Sequence, residues 1–260
     1  QGHFVTKQTN LDTGTFKQIR VDDFEIFDVQ ADRDAYLRRL VDSEFIAIAV
    51  FPASFDAVAQ DLADMIRLRI REGMSQKAAV IIGGNFVGLR AYFEGALDKL
   101  LDADELAVLD DQVALITSKA NRKVTFSSDP AAEPLALEGD DKPILPVEDR
   151  FFFDEGYEYP SFFQRSNDVE LSMAEKIWSE NLLHCSLGFM GAYKGCEYLN
   201  DVASDELCAG LAGMAWKEGR RALEAEFGIP MPGDSLLETM LGKFSSPFFR
   251  DRIDRVVRQP

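Results

Sequence analysis

Histidine occurs only at positions 3 and 184 of the 260-residue chain. His3 lies near the start, whereas His184 closes the run Lys176-Ile177-Trp178-Ser179-Glu180-Asn181-Leu182-Leu183-His184. On an α-helix each residue turns about 100°, so with Lys176 at zero, Asn181 falls near ~140° and His184 near ~80°. The three side chains then share one wide arc, with roughly 12 Å of helix between lysine and histidine. Taken singly they have plain accounts: a solvated lysine, a polar helix residue, a hydrogen-bonded core histidine. As a set in so histidine-poor a chain they are candidate catalytic residues. The amine can take the proton of a secondary alcohol when burial lowers its pKa toward the working pH. Amide and imidazole donors can hold the developing alkoxide, as an oxyanion hole does. The hydride must then go to a cofactor.

A second candidate is Asn85, in Ile82-Gly83-Gly84-Asn85-Phe86-Val87-Gly88. This turn sits between a strand pattern and a helix pattern, where a dinucleotide loop would sit. Asn85 stands where G-x-G-x-x-G needs its second glycine, which lets the backbone approach a pyrophosphate. Leu89-Arg90 follows where a phosphate loop needs Lys and Ser or Thr. The glycines are explained by a tight strand-to-helix turn. Asn85 itself lies just past a strand's carboxyl end, where ligands of open α/β sheets bind, and its amide can reach a substrate oxygen.

The elements that must position these residues follow from periodicity. Gly2 to Thr9 and Phe16 to Val29 read as a strand pair about Asp12-Thr13-Gly14. Asp34 to Val41 is a short helix. Phe45 to Val50, Ala78 to Ile82 and Val113 to Ile116 are apolar runs of the kind buried on both faces. A helix capped by Ser54 and ended by Gly73 lies between the first two, with Val58, Leu62, Met65, Ile66 and Ile70 inward. A second, with Leu89, Phe93, Leu97, Leu100 and Leu101 on one face, lies between the next two. Such alternation implies a parallel sheet with crossover helices. Ser127 to Arg150 reads as extended chain and loop. From about Val169 the chain is helical. Ser204 is expected to cap a helix to Phe227, with Leu207, Leu211, Met214 and Leu223 inward and Gly228 and Pro230 ending it. The expected architecture is α/β plus all-α: an incomplete Rossmann-like domain over residues 1–160, then a helical domain over 161–260.

The formal charge of −17 argues against nucleic acid, since no basic surplus exists to neutralise phosphates. Cys185, Cys196 and Cys208 have no metal-ligand or disulfide spacing, so they read as reduced thiols of a cytoplasmic protein with no metal site. No apolar run reaches membrane-spanning length. Gln1 to Asn10 is polar, is unlike a signal peptide and lacks an initiator Met, so the chain reads as part of a longer protein.

The spacing K-x4-N-x2-H, followed by Cys185-Ser186-Leu187-Gly188-Phe189-Met190-Gly191-Ala192-Tyr193-Lys194-Gly195, resembles the signature of the polyol-specific long-chain dehydrogenases. That family includes mannitol-1-phosphate 5-dehydrogenase, mannitol 2-dehydrogenase and uronate oxidoreductases. Lys243-Phe244-Ser245-Ser246-Pro247 with Asp251, Arg255 and Val256 is similar to its R-F-x-N-P…D…R-V segment. Ala49-Val50-Phe51-Pro52 resembles its A-V-G-P, and Thr117 to Arg122 its N-S-x-V-D-R. The departures are Lys243 for an arginine, Asn121 for an aspartate, and Gly83-Gly84 before Asn85 for a cysteine and an acidic residue. The opening glycine loop of the family is missing, and the family continues beyond the R-V segment.

The resemblance implies an NAD-linked oxidoreductase of sugar alcohols or their phosphates, of the mannitol 1-phosphate/fructose 6-phosphate type. It makes Lys176 the general base, gives Asn85 and Asn181 the alkoxide or carbonyl oxygen, and has His184 orient the substrate. Lys243 and Arg122 would bind substrate, and Val50, Pro52 and Asn85 would line the cofactor. A uronate oxidoreductase is the alternative within enzymes. A non-catalytic binding module on the same fold is the alternative outside them. The oligomeric state is left open.

Overall fold

A computed structural model describes residues 2–10, 15–119, 124–126, 136–141, 144–150, 157–246 and 251–258. The chain divides into two compact units, one of Gln1–Gly84 with Gly88–Val169, the other of Asn85–Val87 with Glu170–Pro260.

The first unit opens with β1 (Phe4–Thr9) and β2 (Phe16–Val21), an antiparallel pair as expected. The expected turn at Asp12-Thr13-Gly14 lies outside the described residues. Then come α1 (Arg33–Val41), β3 (Phe45–Ile48), α2 (Phe55–Glu72), β4 (Ala78–Gly83), α3 (Leu89–Leu100), α4 (Ala103–Gln112) and β5 (Val113–Ser118). Strands β3, β4 and β5 are parallel neighbours, with Ile48 level with Ile82 and Ile82 level with Thr117. The strands β6 (Val124–Phe126), β7 (Leu137–Asp140), β8 (Leu145–Glu148) and β9 (Phe163–Ser166) complete two sheets, of order β2-β1-β7-β6 and β3-β4-β5-β8-β9.

The apolar runs are buried for the reason their composition implies. One face of the larger sheet packs Ile46, Ile48, Val80, Ile82, Val113 and Leu115 against Leu62, Ile66, Phe93 and Leu97 of α2 and α3. The other face buries Ala79, Ile81, Ala114, Ile116 and Val147. The unit is the Rossmann-like parallel arrangement with crossover helices. Its three parallel strands follow one another in chain order, so among the described residues no strand-order reversal makes the usual ligand crevice.

Several local expectations are corrected. On α2, Ile70 is exposed, and the neighbouring Arg69 goes inside instead. It donates to the Val41 carbonyl at 3.0 Å and to Gln112 at 3.2 Å, which satisfies part of a guanidinium that hydropathy would place in water. Ser54 stands at the N-cap of α2 but makes no capping bond, because a 3-10 turn over Pro52–Ser54 already leads into the helix. Within the stretch read as extended chain and loop, β7 pairs with β1 and β6, and β8 with β5 and β9.

The second unit is helical: α5 (Val169–Glu175), a π-turn (Lys176–Asn181), α6 (Leu182–Lys194), α7 (Leu199–Ala203), α8 (Glu206–Phe227), α9 (Asp234–Ser245) and α10 (Ile253–Arg258). Its core gathers Leu183, Leu187, Leu199, Val202, Ala212, Trp216, Phe244 and Ile253. The cap of α8 is Asp205, whose carboxylate accepts from the Cys208 amide at 3.0 Å, while Ser204 turns back to the Asn200 carbonyl. Leu207, Leu211 and Met214 are exposed, against the expectation. The buried stripe is Cys208, Ala212, Trp216, Gly219 and Leu223. That stripe has helical spacing and sets the large Trp216 and Leu223 among small residues, of which Gly219 leaves room for the Trp178 carbonyl.

Candidate active site

The site residues on the second unit hang from one interrupted helix. Between α5 and α6 the backbone widens, and the Leu182 amide donates five residues back to the Ile177 carbonyl. Single π-turns of this kind are frequent at functional sites. The reckoning of about 100° per residue therefore does not carry from Lys176 to His184. The Ser179 hydroxyl donates to the Glu175 carbonyl one turn back, a bond that competes with the regular ladder.

Lys176 starts the π-turn and its ammonium donates to Asn85 Oδ1 at 3.1 Å. Two candidates separated by 91 positions in sequence thus meet in space. Asn85 arrives there because it follows β4 by two residues and belongs, with Phe86 and Val87, to the second unit. Asn181 closes the π-turn and is half-buried.

His184 has turned to a different set. Its Nε2 lies 3.0 Å from Asp251 Oδ2, and its ring stacks on Phe244 at 5.3 Å and 28°. Asp251 also accepts from Arg255, at 2.7 Å from Nε and again from Nη2. Burial alone would raise the Asp251 carboxyl, but the hydrogen bonds from His184 and Arg255 outweigh it and hold the group well below the usual carboxylate range. An ionised Asp251 can only accept, so the proton of a neutral His184 ring sits on Nε2 and Nδ1 carries the acceptor lone pair.

Lys243, expected to grip substrate, gives its ammonium to Glu180 Oε1 at 2.6 Å and lies 5.8 Å from the Phe244 ring centre. Arg122, the other expected substrate ligand, lies outside the described residues. Val50 and Pro52 follow β3 on the first unit, with Val50 38% exposed and Pro52 opening the 3-10 turn. Sequence reasoning quoted Asp251 only as part of the R-F-x-N-P…D…R-V resemblance, with no role of its own, and gave Glu180 none. The four-residue spacing of Asp251 and Arg255 was the available signal for a fixed carboxylate on a helix end. Glu180 had none, since its partner is 63 residues away.

Among the described residues no group of His, Cys, Asp or Glu could hold a metal ion. No helix among them is long and apolar enough to cross a membrane. Burial raises the Cys185 and Cys208 thiols, which keeps them protonated and unreactive.

No protein-family model matches the chain. Its fold is similar to that of solved oxidoreductases. Against a Pseudomonas fluorescens mannitol 2-dehydrogenase, in ternary complex with NAD and D-mannitol, the TM-score is 0.71 at 16% identity. That match covers 98% of this chain and 60% of the other. Against a substrate-free D-sorbitol dehydrogenase the TM-score is 0.67 at 17% identity, covering 98% of this chain and 61% of that one. A 2-dehydropantoate 2-reductase from Geobacter metallireducens matches at 0.51 and 11% identity, over 98% and 75%. The chain thus spans about three fifths of the length of the two polyol dehydrogenases.

Proposed function

We propose that this chain is the catalytic portion of an NAD-linked oxidoreductase that interconverts a sugar alcohol, or its phosphate, with the corresponding keto sugar. The observation that carries the reading is the 3.1 Å contact of Lys176 Nζ with Asn85 Oδ1, in a fold shared with two polyol dehydrogenases. In its neutral form the Lys176 amine takes the hydroxyl proton of the substrate. Asn85 and Asn181 offer amide donors to the oxygen as negative charge grows on it. His184, held by Asp251, presents Nδ1 to a neighbouring substrate hydroxyl and so orients the sugar chain.

Bound NAD would supply the acceptor for the hydride. On the first unit, Val50 and Pro52 are exposed beyond β3 and are the candidates to line its nicotinamide end. No G-x-G-x-x-G occurs in the 260 residues, so no part is assigned to this chain in holding the pyrophosphate. The salt bridge that occupies Lys243 favours an uncharged polyol over its phosphate ester, since an anion would have to compete with Glu180.

The test is NADH formation by the full-length protein from a panel of sugar alcohols, their phosphates and uronate-derived alcohols. Lys176→Ala should lower kcat by about a hundred- to ten-thousand-fold, the usual range for a lost general base. KM should change far less, with circular dichroism unchanged. A folded variant with parental turnover would remove Lys176 from the mechanism. Turnover of uronate-derived substrates alone would favour the uronate branch.

A further inference from the structure

We infer that Gly219 and Arg220 of α8 are positioning residues for Lys176, holding the π-turn from which the lysine reaches Asn85. The inference rests on the reading of Lys176 as the base.

Each residue grips the turn at a different point. A Cβ on Gly219 would overlap the Trp178 carbonyl oxygen and would stand 2.6 Å from Leu182 Cδ2. Only a glycine lets α8 approach the turn this closely, and its Cα–H then faces the carbonyl as a weak donor. Arg220, 2% exposed, donates from Nη1 to Glu175 Oε1 at 2.7 Å. Its Nη2 donates to the Pro230 carbonyl at 3.0 Å, so the guanidinium is anchored at both ends. The Trp178 ring meets the Phe227 ring of the same helix at 5.6 Å.

Positions 175 and 178 are therefore both fixed to α8, and Lys176 lies between them. Glu175 is the residue next to the base, so its ion pair with Arg220 determines how the chain enters the turn. Gly219 meets Trp178 and Leu182, and Arg220 bonds to Glu175 and Pro230. Their effect on the lysine runs through the backbone of the turn.

The experiment compares Gly219→Ala and Glu175→Gln in the full-length protein, by crystal structure and by steady-state kinetics. In Gly219→Ala the Trp178 carbonyl should shift and Lys176 Nζ should leave hydrogen-bond distance of Asn85. The kcat for polyol oxidation should fall about a hundredfold, as displacement of a reacting group by roughly 1 Å does, with KM within about threefold. Glu175→Gln keeps the side-chain shape and should lower kcat by about tenfold, and it carries the test should Gly219→Ala not fold. The same changes are then made in Lys176→Ala supplied with an external primary amine. An untethered amine is not aimed by the turn, so Gly219→Ala should cost nothing there. A penalty that persists in the amine-rescued background marks a merely structural glycine and overturns the inference. So does a Lys176–Asn85 contact unmoved in both folded variants. Parental turnover by Lys176→Ala defeats the reading of the base instead, and the crystallographic displacement of Lys176 still decides the inference.

Discussion

His184 and Asp251 are joined by a single hydrogen bond, 3.0 Å from Nε2 to Oδ2, across 67 positions of sequence. The carboxylate settles which ring nitrogen of a neutral His184 carries the proton and therefore which one is left as the acceptor. Asp251→Asn removes that constraint, since an amide can donate as readily as it accepts. The expected result is a loss of at least about tenfold in kcat/KM for polyols, the scale on which misplacing a binding group costs rate. Unchanged kinetics in a folded variant would mean that the His184 tautomer is irrelevant to turnover.

The same carboxylate predicts a pH dependence of stability. Its folded-state pKa is depressed, so its contribution is fully present above the unfolded value of about 3.9 and fades as pH falls through the folded value. Asp251→Asn should cost on the order of 3 kcal/mol at neutral pH, and the gap from the parent should begin to narrow below about pH 4 and shrink steadily as pH falls further. Denaturant melts across that range measure it, and a constant gap would contradict the assignment.

Helix α8 offers a sharp contrast between two neighbouring stripes. Leu211→Glu and Met214→Lys lie on the exposed side and should shift stability by no more than about 0.5 kcal/mol. Ala212→Leu, at a wholly buried position, should cost about 1–3 kcal/mol through overpacking. Urea denaturation of the three variants would reverse this ordering if the larger residues were the inward ones.

Lys243 is bound to Glu180 in this structure, and freeing it should matter only to charged substrates. Glu180→Gln should lower KM for a polyol phosphate by about three- to tenfold, roughly 1 kcal/mol of recovered attraction. KM for the unphosphorylated polyol should stay within about twofold, since a neutral sugar gains no such attraction. An equal change for both would show that Lys243 does not meet a phosphate.

The sequence by itself determined the parallel core and the chemical inventory. Runs such as Ala78–Gly83 and Val113–Ser118 have no polar face, so they are stable only with both faces covered. Lys176, Asn181, His184 and Asn85 stood out because their side chains do chemistry that leucine and alanine cannot. The tertiary structure decided how those groups are held. The π-turn breaks the helical count on which the arc of Lys176, Asn181 and His184 was drawn. Its local sequence carries no mark of it, because the widened turn is fastened by Gly219 and Arg220, more than forty residues on. The same holds for Asp251 behind His184 and Glu180 on Lys243. A partner in a folded chain is selected by distance in space, which periodicity along one helix does not contain. Small residues such as Ala212 and Gly219 became the inner face of α8 for a related reason. Hydropathy ranks side chains by transfer to oil, whereas a close helix crossing selects those that leave room for the neighbouring backbone.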